Sequence, residues 1–277
     1  MRYNFLRFPN FKFKAVTLSY DDGVVFDEKL IEIMSKNGLK GTFNINSSLF
    51  AKEEGGRRLT KEQAYKLYTE SGNEVAVHGC VHHSLPDVPD ATATADIVND
   101  RIALEEMFGT VVTGMAYAMG TFSDKAVEIL KNCGIEYART AQSTGTFDIP
   151  TDWLRLKPTA HHANPKLMEL AKSFIEGDVP NRYWGKSPWL FYLWGHSYEF
   201  NDADNWNIIE EFAEYVGNRD DIWYATNKEI YDYIKAYDSL IYSVKMDRVK
   251  NPSALTVYAD YFGREVAIPA GETVKIK

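Results

Sequence analysis

Two acidic residues, Asp21 and Asp22, stand next to each other directly after the apolar segment AVTLSY at residues 15–20. Side chains alternate faces along a strand, so neighbouring carboxylates at its end can serve different purposes. One carboxylate can bind a metal ion while the other accepts a proton, which is the division of labour that metal-dependent hydrolysis needs. We therefore expect chemistry at the end of this segment.

Histidines concentrate in the segment EVAVHGCVHHSL, which holds His78, His82 and His83, three of the six histidines of the chain. His78 and His82 are four residues apart, so on one helical turn their rings would share a face. Zn²⁺ takes imidazole and carboxylate ligands together and keeps an open position where the site is catalytic. The H-x-x-x-H spacing alone is weak, and two of these rings could instead form hydrogen bonds with loop carbonyls.

Short apolar segments alternate with amphipathic segments, which predicts strands and helices in alternation. Strands are predicted at 15–20, 40–45, 74–78, 112–118, 135–139, 154–157, 189–194 and 222–225. Helices are predicted at 27–38, 60–72, 90–109, 123–134, 164–177, 205–218 and 227–237. Repeated strand–helix units indicate a mostly parallel sheet with helices outside it. Seven or eight such units favour an α/β barrel over an open sheet.

The helical pattern stops after about residue 238. Residues 239–249 and 253–276 alternate like strands, with turns at 262–264 and 269–271, which is typical of antiparallel hairpins. We therefore predict a barrel over residues 1–237 and a small β-rich C-terminal appendage over residues 238–277. The appendage could pack on the barrel or join two copies of the chain in a homo-oligomer.

The barrel prediction brings the candidate residues together, because the carboxyl ends of parallel strands share one face. Asp21 and Asp22 end the first predicted strand, His78 ends the third, and His196 follows the strand at 189–194. A carboxylate pair, a histidine pair and a separate histidine would then meet at one rim. This constellation is typical of a metal hydrolase, with one Asp and two His on the metal, a free Asp as base and a separate His as acid.

Composition excludes several classes of protein. The net charge of −8 argues against a nucleic-acid partner and against an anionic membrane surface, which both favour basic patches. Cys80 and Cys133 are the only cysteines, so a disulfide framework is not expected. The sequence shows neither a long apolar segment nor the features of a signal peptide. We expect a cytoplasmic protein, or a trimmed form of a secreted one.

The motifs resemble, in order along the chain, those of the polysaccharide deacetylases (NodB-like, carbohydrate esterase family 4). The T-F-D-D-G motif of that family stands here as SYDDG at 19–23, and H-[ST]-x-x-H stands as HGCVH at 78–82. R-x-P-Y-G resembles AYAMG at 116–120, and the motif that supplies an Asp and a Trp resembles TDW at 151–153. L-x-H resembles the segment that leads to His196. The resemblance covers most of the predicted barrel and leaves the appendage out. It implies an α/β fold of the distorted (β/α) barrel type, with about seven strands.

The resemblance implies a specific site. Asp22, His78 and His82 would bind a divalent metal, most commonly Zn²⁺, with Co²⁺, Ni²⁺ or Mn²⁺ as alternatives. Asp21 would be the general base, and His196 would protonate the leaving amine. His83 follows His82 directly, so we expect its ring to point away from the metal.

The resemblance also implies residues that support the reaction or line the site: Met119 through its backbone N–H as oxyanion donor, Tyr117, Asp152 and Trp153. The third motif departs from the family, because Ala116 stands where the family has an Arg that holds the base. Arg139, at the end of the next predicted strand, is the candidate replacement, and a surface or supporting role is the alternative.

By this resemblance the chain would remove acetyl groups, N-acetyl groups foremost, from a sugar or oligosaccharide through attack of water activated by the metal. Two alternatives stay open. One is a C–N hydrolase of a non-sugar amide, as in allantoinase-like relatives, and the other is an inactive carbohydrate-binding relative. The presence of both Asp21 and His196 argues against an inactive site. His161 and His162 could line the site, or one of them could contact the N-terminus of the following helix, and Glu199 could tune His196 or have no role there.

Overall fold

The computed structural model describes residues 3–179, 181–182 and 185–277. Its strands are β1 Leu6–Arg7, β2 Lys14–Asp21, β3 Gly41–Ile45, β4 Glu74–Val77, β5 Gly114–Ala116, β6 Tyr137–Arg139, β7 Ala160–His161, β8 Asn181–Arg182, β9 Gly185–Lys186, β10 Trp189–Gly195, β11 Ile222–Tyr224, β12 Ile241–Tyr242, β13 Arg248–Lys250, β14 Val257–Tyr261, β15 Arg264–Ile268 and β16 Thr273–Lys275. Its α-helices are α1 Asp27–Lys36, α2 Lys61–Ser71, α3 Asp90–Phe108, α4 Asp124–Asn132, α5 Leu167–Glu176, α6 Ser197–Asp202, α7 Asn207–Val216 and α8 Asn227–Asp238. Short 3₁₀ helices lie at Pro9–Phe11, Leu85–Asp87, Ala118–Gly120 and Trp153–Arg155.

The core is a curled parallel sheet with the strand order β6-β5-β4-β3-β2-β10-β7. β10 pairs with one side of β2 from Trp189↔Lys14 to Gly195↔Tyr20. On the other side, β11 pairs with residues 14–16 of β2 and β3 pairs with residues 18–21. All eight residues of β2 are buried, as expected for a central strand covered on both faces. The predicted fold class, an α/β distorted barrel, is confirmed.

Local chemistry sets the helix boundaries. Thr60 and Gln63 form a capping box at the start of α2, because each side chain accepts a hydrogen bond from the backbone N–H of the other, an arrangement that satisfies two unpaired amides. Gly72 ends the same helix with φ +66°, which glycine adopts without strain. Within the described residues, no helix combines the length and apolar character that crossing a membrane requires.

The segment predicted as a strand at 154–157 is instead a 3₁₀ turn followed by a single bridge between Arg139 and Leu156. Both the backbone N–H and the hydroxyl of Thr140 donate to the carbonyl of Leu156, at 2.8 and 2.9 Å. The chain after the edge strand β6 is therefore an irregular connection. Its apolar residues have a strand-like pattern in the sequence, which explains the wrong prediction. β7 and α6 are too short to give a periodic pattern, and the sequence predicts neither.

The C-terminal strands form two small antiparallel sheets, β1-β14-β15 and β12-β13-β16. The turn between β14 and β15 lies at Phe262 and Gly263, both with positive φ, at the predicted place. β1 comes from the N-terminal end of the chain and pairs with β14, which the sequence does not predict. The division into a barrel over 1–237 and an appendage over 238–277 stays a prediction.

Candidate metal centre and active site

Three candidate ligands meet at the carboxyl ends of β2 and β4. His82 Nε2 lies 3.7 Å from Asp22 Oδ1, and His78 Nε2 lies 4.0 Å from the same oxygen. One ligand atom from each of the three residues lies within 4.8 Å of the other two. A carboxylate and two imidazoles at this spacing match the donor set that Zn²⁺ and similar divalent ions prefer.

The tautomer of His78 tests whether this group fits a metal. His78 Nδ1 lies 2.9 Å from the carbonyl of Ala116, and since a carbonyl only accepts, Nδ1 carries the proton. Nε2 therefore holds a free lone pair, and this buried atom has no hydrogen-bond partner among the described residues. Burial also lowers the pKa of His78, which favours the neutral ring. A metal-binding histidine commonly has this arrangement, with its other nitrogen held by a carbonyl, so the residues fit a divalent ion.

Backbone strain concentrates at the same place. Asp22, His82 and Met119 have φ angles of +87°, +64° and +56°, in a region that residues with a Cβ rarely adopt. Each follows a strand of the parallel sheet, and each is a candidate site residue from the sequence. Strain of this kind costs of order 1–3 kcal/mol per residue and is frequent at functional sites.

Two carboxylates of α3 hold the loop that carries the histidine pair. Asp100 accepts hydrogen bonds from the backbone N–H groups of Ser47 and His78, at 2.7 and 3.0 Å. Asp96 accepts from the N–H of Val81 at 3.1 Å. Gly79 lies against Asp96, because a Cβ on Gly79 would come within 2.4 Å of Asp96 Oδ2. Gly79 therefore stands where the family motif has Ser or Thr, since the space is taken by a carboxylate of α3.

Asp21 is buried beside Arg139. Arg139 Nη2 donates to both carboxylate oxygens of Asp21, and Asn44 Nδ2 donates to Oδ1 at 2.8 Å. Burial alone would raise the pKa of Asp21, but the Arg139 guanidinium, with His78 and His196, lowers it to about 2. Asp21 is therefore ionised throughout the physiological range. The guanidinium of Arg139 also stacks over Trp194, 4.5 Å from the ring centroid.

His196 lies between Asp21 and Glu199. Its Nε2 is 3.8 Å from Asp21 Oδ2, and its Nδ1 is 3.3 Å from Glu199 Oε1. Burial alone would lower the pKa of His196, but the neighbouring carboxylates, Glu199 first, raise it above its ordinary value. The imidazolium form of His196 is thereby favoured.

Glu199 has two further histidine neighbours. Its Oε2 lies 3.2 Å from His161 Nε2 and 2.9 Å from His162 Nε2. The backbone N–H of Ala163 donates to His161 Nδ1 at 3.1 Å, so the proton of the His161 ring is on Nε2, facing Glu199. Although burial would raise the pKa of Glu199, the three histidines hold it well below its ordinary range. His161 thus turns a ring N–H, not a lone pair, towards Glu199, so the group of His161, His196 and Glu199 is a poorer fit to a metal than the first group.

The sequence does not predict that Arg58 lies beside Asp22, one of the three candidate metal ligands. Its Nη1 donates to the backbone carbonyl of Asp22 and, at 3.2 Å, to Asn46 Oδ1. Its Nη2 lies 3.4 Å from Asp22 Oδ1. The only signal in sequence is an arginine pair in a glycine-rich loop, which is too common to indicate a site.

Three residues expected near the site have their described contacts elsewhere. Trp153 packs edge-on against Tyr231 of α8, with ring centroids 5.1 Å apart. Asp152 Oδ2 accepts a hydrogen bond from Arg155 Nη1 at 3.0 Å. Tyr117 is buried, and its hydroxyl donates to the carbonyl of Leu154 at 2.8 Å. These contacts give the three side chains packing partners in and around the irregular connection after β6, and the expectation that they line the site stays a prediction.

The aromatic residues next to His196 are Trp194 and Tyr198, with ring centroids 5.9 and 5.1 Å from its ring. Met119 is 69% exposed, in the 3₁₀ turn that follows β5. His83 lies 3.6 Å from Asp96 Oδ1, on the α3 side of the loop, as expected for a residue that does not bind the metal. The roles of all these residues stay predictions.

Comparison with known proteins agrees with the motifs. Residues 9–138 match the family model described as polysaccharide deacetylase. A protein from Mycobacterium smegmatis described as a polysaccharide deacetylase is 16% identical, with a TM-score of 0.60 over 85% of this chain and 94% of that chain. The Xyl-CE4 domain of a multidomain xylanase from the hindgut metagenome of Trinervitermes trinervoides is 13% identical, with a TM-score of 0.52 over 80% and 92%.

A CE4 family pseudoenzyme from Bacillus anthracis has the same fold, with 14% identity and a TM-score of 0.50 over 82% of this chain and 68% of that chain. No curated protein matches the sequence. At these identities the solved structures show the fold, and the family model covers the first three motifs. The resemblance to NodB-like polysaccharide deacetylases is confirmed over these residues.

Proposed function

We propose that this member of the polysaccharide deacetylase family is a metal-dependent hydrolase that removes acetyl groups, N-acetyl groups foremost, from a carbohydrate. One observation carries the proposal. The buried, unpartnered Nε2 of His78 faces two carboxylates, Asp22 at 4.0 Å and Asp21 at 3.9 Å. Of these two carboxylates, only Asp21 is held by a buried arginine, Arg139.

Asp22, His78 and His82 would hold the metal. A divalent ion bound there supplies Lewis acidity and makes water a stronger acid. The backbone strain at Asp22 and His82 supports this assignment, since it turns both residues out of the regular strand and loop geometry. Arg58 Nη2 lies 3.4 Å from the same Oδ1 of Asp22 that faces the two histidines, and it would balance part of the charge of that carboxylate.

Asp21 would be the general base. It accepts a proton from the attacking water while the water oxygen forms a bond to the acetyl carbon. Its low pKa keeps it ionised, and its fixed contacts with Arg139 and Asn44 leave the carboxylate a single orientation. Arg139 would thus do the work of the arginine that the third motif lacks.

His196 would be the general acid. It donates the Nε2 proton to the leaving nitrogen as the carbon–nitrogen bond breaks, so that acetate and a free amine are released. Glu199 supports this role because its Oε1 lies 3.3 Å from Nδ1 and its negative charge favours the imidazolium. The backbone N–H of Met119 is the proposed donor to the oxyanion, and a side chain is not needed for that contact.

Acetate release from purified protein tests the proposal. The protein is stripped with a chelator, reloaded with Zn²⁺, and incubated with N-acetylated sugars, O-acetylated sugars and a cyclic amide. We expect release from an N-acetylated sugar, loss on stripping and recovery on reloading. Asp21→Asn should keep the metal and lose about 10²–10⁴-fold in kcat. Release only from the cyclic amide, or sugar binding without release, would overturn the proposal in favour of an alternative.

A further inference from the structure

Asp27 is a fully buried carboxylate at the first position of α1. Three groups donate hydrogen bonds to it. The Ser197 hydroxyl donates to Oδ1 at 2.5 Å, and the Tyr68 hydroxyl and the Val24 N–H donate to Oδ2 at 2.6 and 3.2 Å. Every donor is neutral, so no described ion pair offsets the buried charge.

Burying this carboxylate costs free energy. Burial raises the pKa of Asp27 to about 7, although its hydrogen bonds with Ser197, Tyr68 and Val24 act in the opposite direction. The other titratable groups that face it, Tyr20 and Tyr68, have pKa values raised well above the ordinary value by burial and remain neutral. Asp22 is a further negative charge nearby. A residue kept for stability alone would not need a charge here.

The three donors belong to different parts of the site. Val24 lies two residues after Asp22, in the turn between β2 and α1. Ser197 follows His196 directly at the start of α6, and Tyr68 belongs to α2, away from the reacting groups. Asp27 thus connects the loop that carries the carboxylate pair to the loop that carries His196. Both linking groups, Ser197 and Asp27, are fully buried, so solvent cannot replace the contact.

We propose that Asp27 is a positioning residue, which acts through Ser197 to hold His196 at its working distance from Asp21. The inference rests on the proposed function, because it needs His196 to be the general acid. Nε2 of His196 is 3.8 Å from Asp21 Oδ2, so the acid and the base would act on neighbouring atoms of one substrate group, and their spacing must match that group. A shift of about 1 Å in the acid can cost up to 10²-fold in rate.

The test compares two variants that each remove one hydroxyl from the same carboxylate. Ser197→Ala removes the link to His196, and Tyr68→Phe, the matched control, removes a bond of similar length from α2. We expect kcat to fall about tenfold or more in Ser197→Ala, with KM and bound metal unchanged. Tyr68→Phe should lower Tm and leave kcat within about twofold.

A cycle with His196 separates positioning from general loss of structure. In the His196→Ala background, Ser197→Ala should cause no further fall in kcat, because groups that act through one another are not additive. Equal losses in Ser197→Ala and Tyr68→Phe, or an undiminished loss in the His196→Ala background, would overturn the inference.

A second variant separates the loss of positioning from misfolding. Asp27→Asn replaces a charge that burial penalises, so its Tm at pH 8 should stay close to that of the wild type while kcat falls as in Ser197→Ala. Full activity in Asp27→Asn would overturn the inference and leave the proposed function intact. If the wild type releases no acetate from any substrate, the proposed function fails, and the positioning role fails with it.

Discussion

Replacing Arg139 with methionine tests the most unusual contact of the site. Arg139 and Asp21 form a buried ion pair with two hydrogen bonds to one guanidinium nitrogen, and Asn44 completes the set of donors. Both side chains are almost completely excluded from solvent. Arg139→Met keeps the length and apolar stem of the side chain and removes its charge, so Asp21 is left buried without its cation.

The expected loss of stability in Arg139→Met follows from the burial of the ion pair. Breaking one partner of a buried pair costs about 3–5 kcal/mol, because the remaining charge has no compensation. The lowering of the Asp21 pKa from its ordinary value of 3.8 to about 2 is a net change of about 2–3 kcal/mol at about 1.4 kcal/mol per pKa unit, and it is smaller than this range because burial opposes the effect of the guanidinium. We therefore expect Arg139→Met to lower the free energy of unfolding by about 3–5 kcal/mol at pH 7.

The stabilisation that ionised Asp21 provides depends on pH in one direction only. A carboxylate whose folded pKa lies below its unfolded pKa stabilises the protein above the unfolded value, about 3.9, and the stabilisation is lost as the pH falls towards 2. In Arg139→Met the pKa of Asp21 should rise, because burial then acts without the guanidinium. The acidic limb of kcat/KM should move to higher pH, and kcat should fall as the base loses its fixed orientation.

Urea unfolding of a double-mutant cycle provides the assay. Asp21→Asn and Arg139→Met should each destabilise the protein, and the double variant should be more stable than the sum of the two losses predicts. Arg139→Lys is the matched control, because it keeps the charge and loses the planar fork. Additive losses, or an acidic limb that stays in place in Arg139→Met, would refute the assignment of Arg139 to Asp21.

Other predictions concern the metal and the acid. His78→Ala should lower the zinc content measured by atomic absorption, whereas His83→Ala should leave it intact; equal loss would contradict the ligand set. Asp100→Asn should weaken zinc binding about tenfold in a chelator competition while circular dichroism stays native, and unchanged affinity would show that Asp100 does not hold the loop in place for the metal. Glu199→Gln should lower the pKa of His196 and move the alkaline limb of kcat/KM to lower pH, since the acid must be protonated; an unmoved limb would exclude that pairing.

The sequence predicts the parts of this molecule that local patterns determine. The helices over residues 27–36 and 61–71 have clear apolar faces and end signals, and they form where expected. The central strands β2 and β10 contain the apolar segments that predict them, and the motifs at the strand ends contain three residues that the structure brings close enough to hold one ion. These features depend on residues close together in the chain, so one sequence is enough to find them.

The supporting contacts could not be found in this way, because they join distant segments. Asp100 reaches the backbone of His78 from 22 residues away, and Arg58 reaches Asp22 from 36 residues away. Trp153 matches a motif position, and its ring contact with Tyr231 of α8 is one that no motif predicts. A motif gives residue types, and only the path of the connection decides which side of the sheet they reach.

The adjacent acids at the end of β2 now have a physical explanation. Regular strand geometry would point Asp21 and Asp22 to opposite faces. Asp21 keeps its place in the strand, where Asn44 of β3 and Arg139 of β6 hold it. Asp22 leaves the strand with φ +87°, and its carboxylate lies 3.7 Å from His82 instead. The strained turn thus gives two neighbours in sequence different partners on one rim, and the glycine that follows, with φ +65°, lets the chain complete that turn.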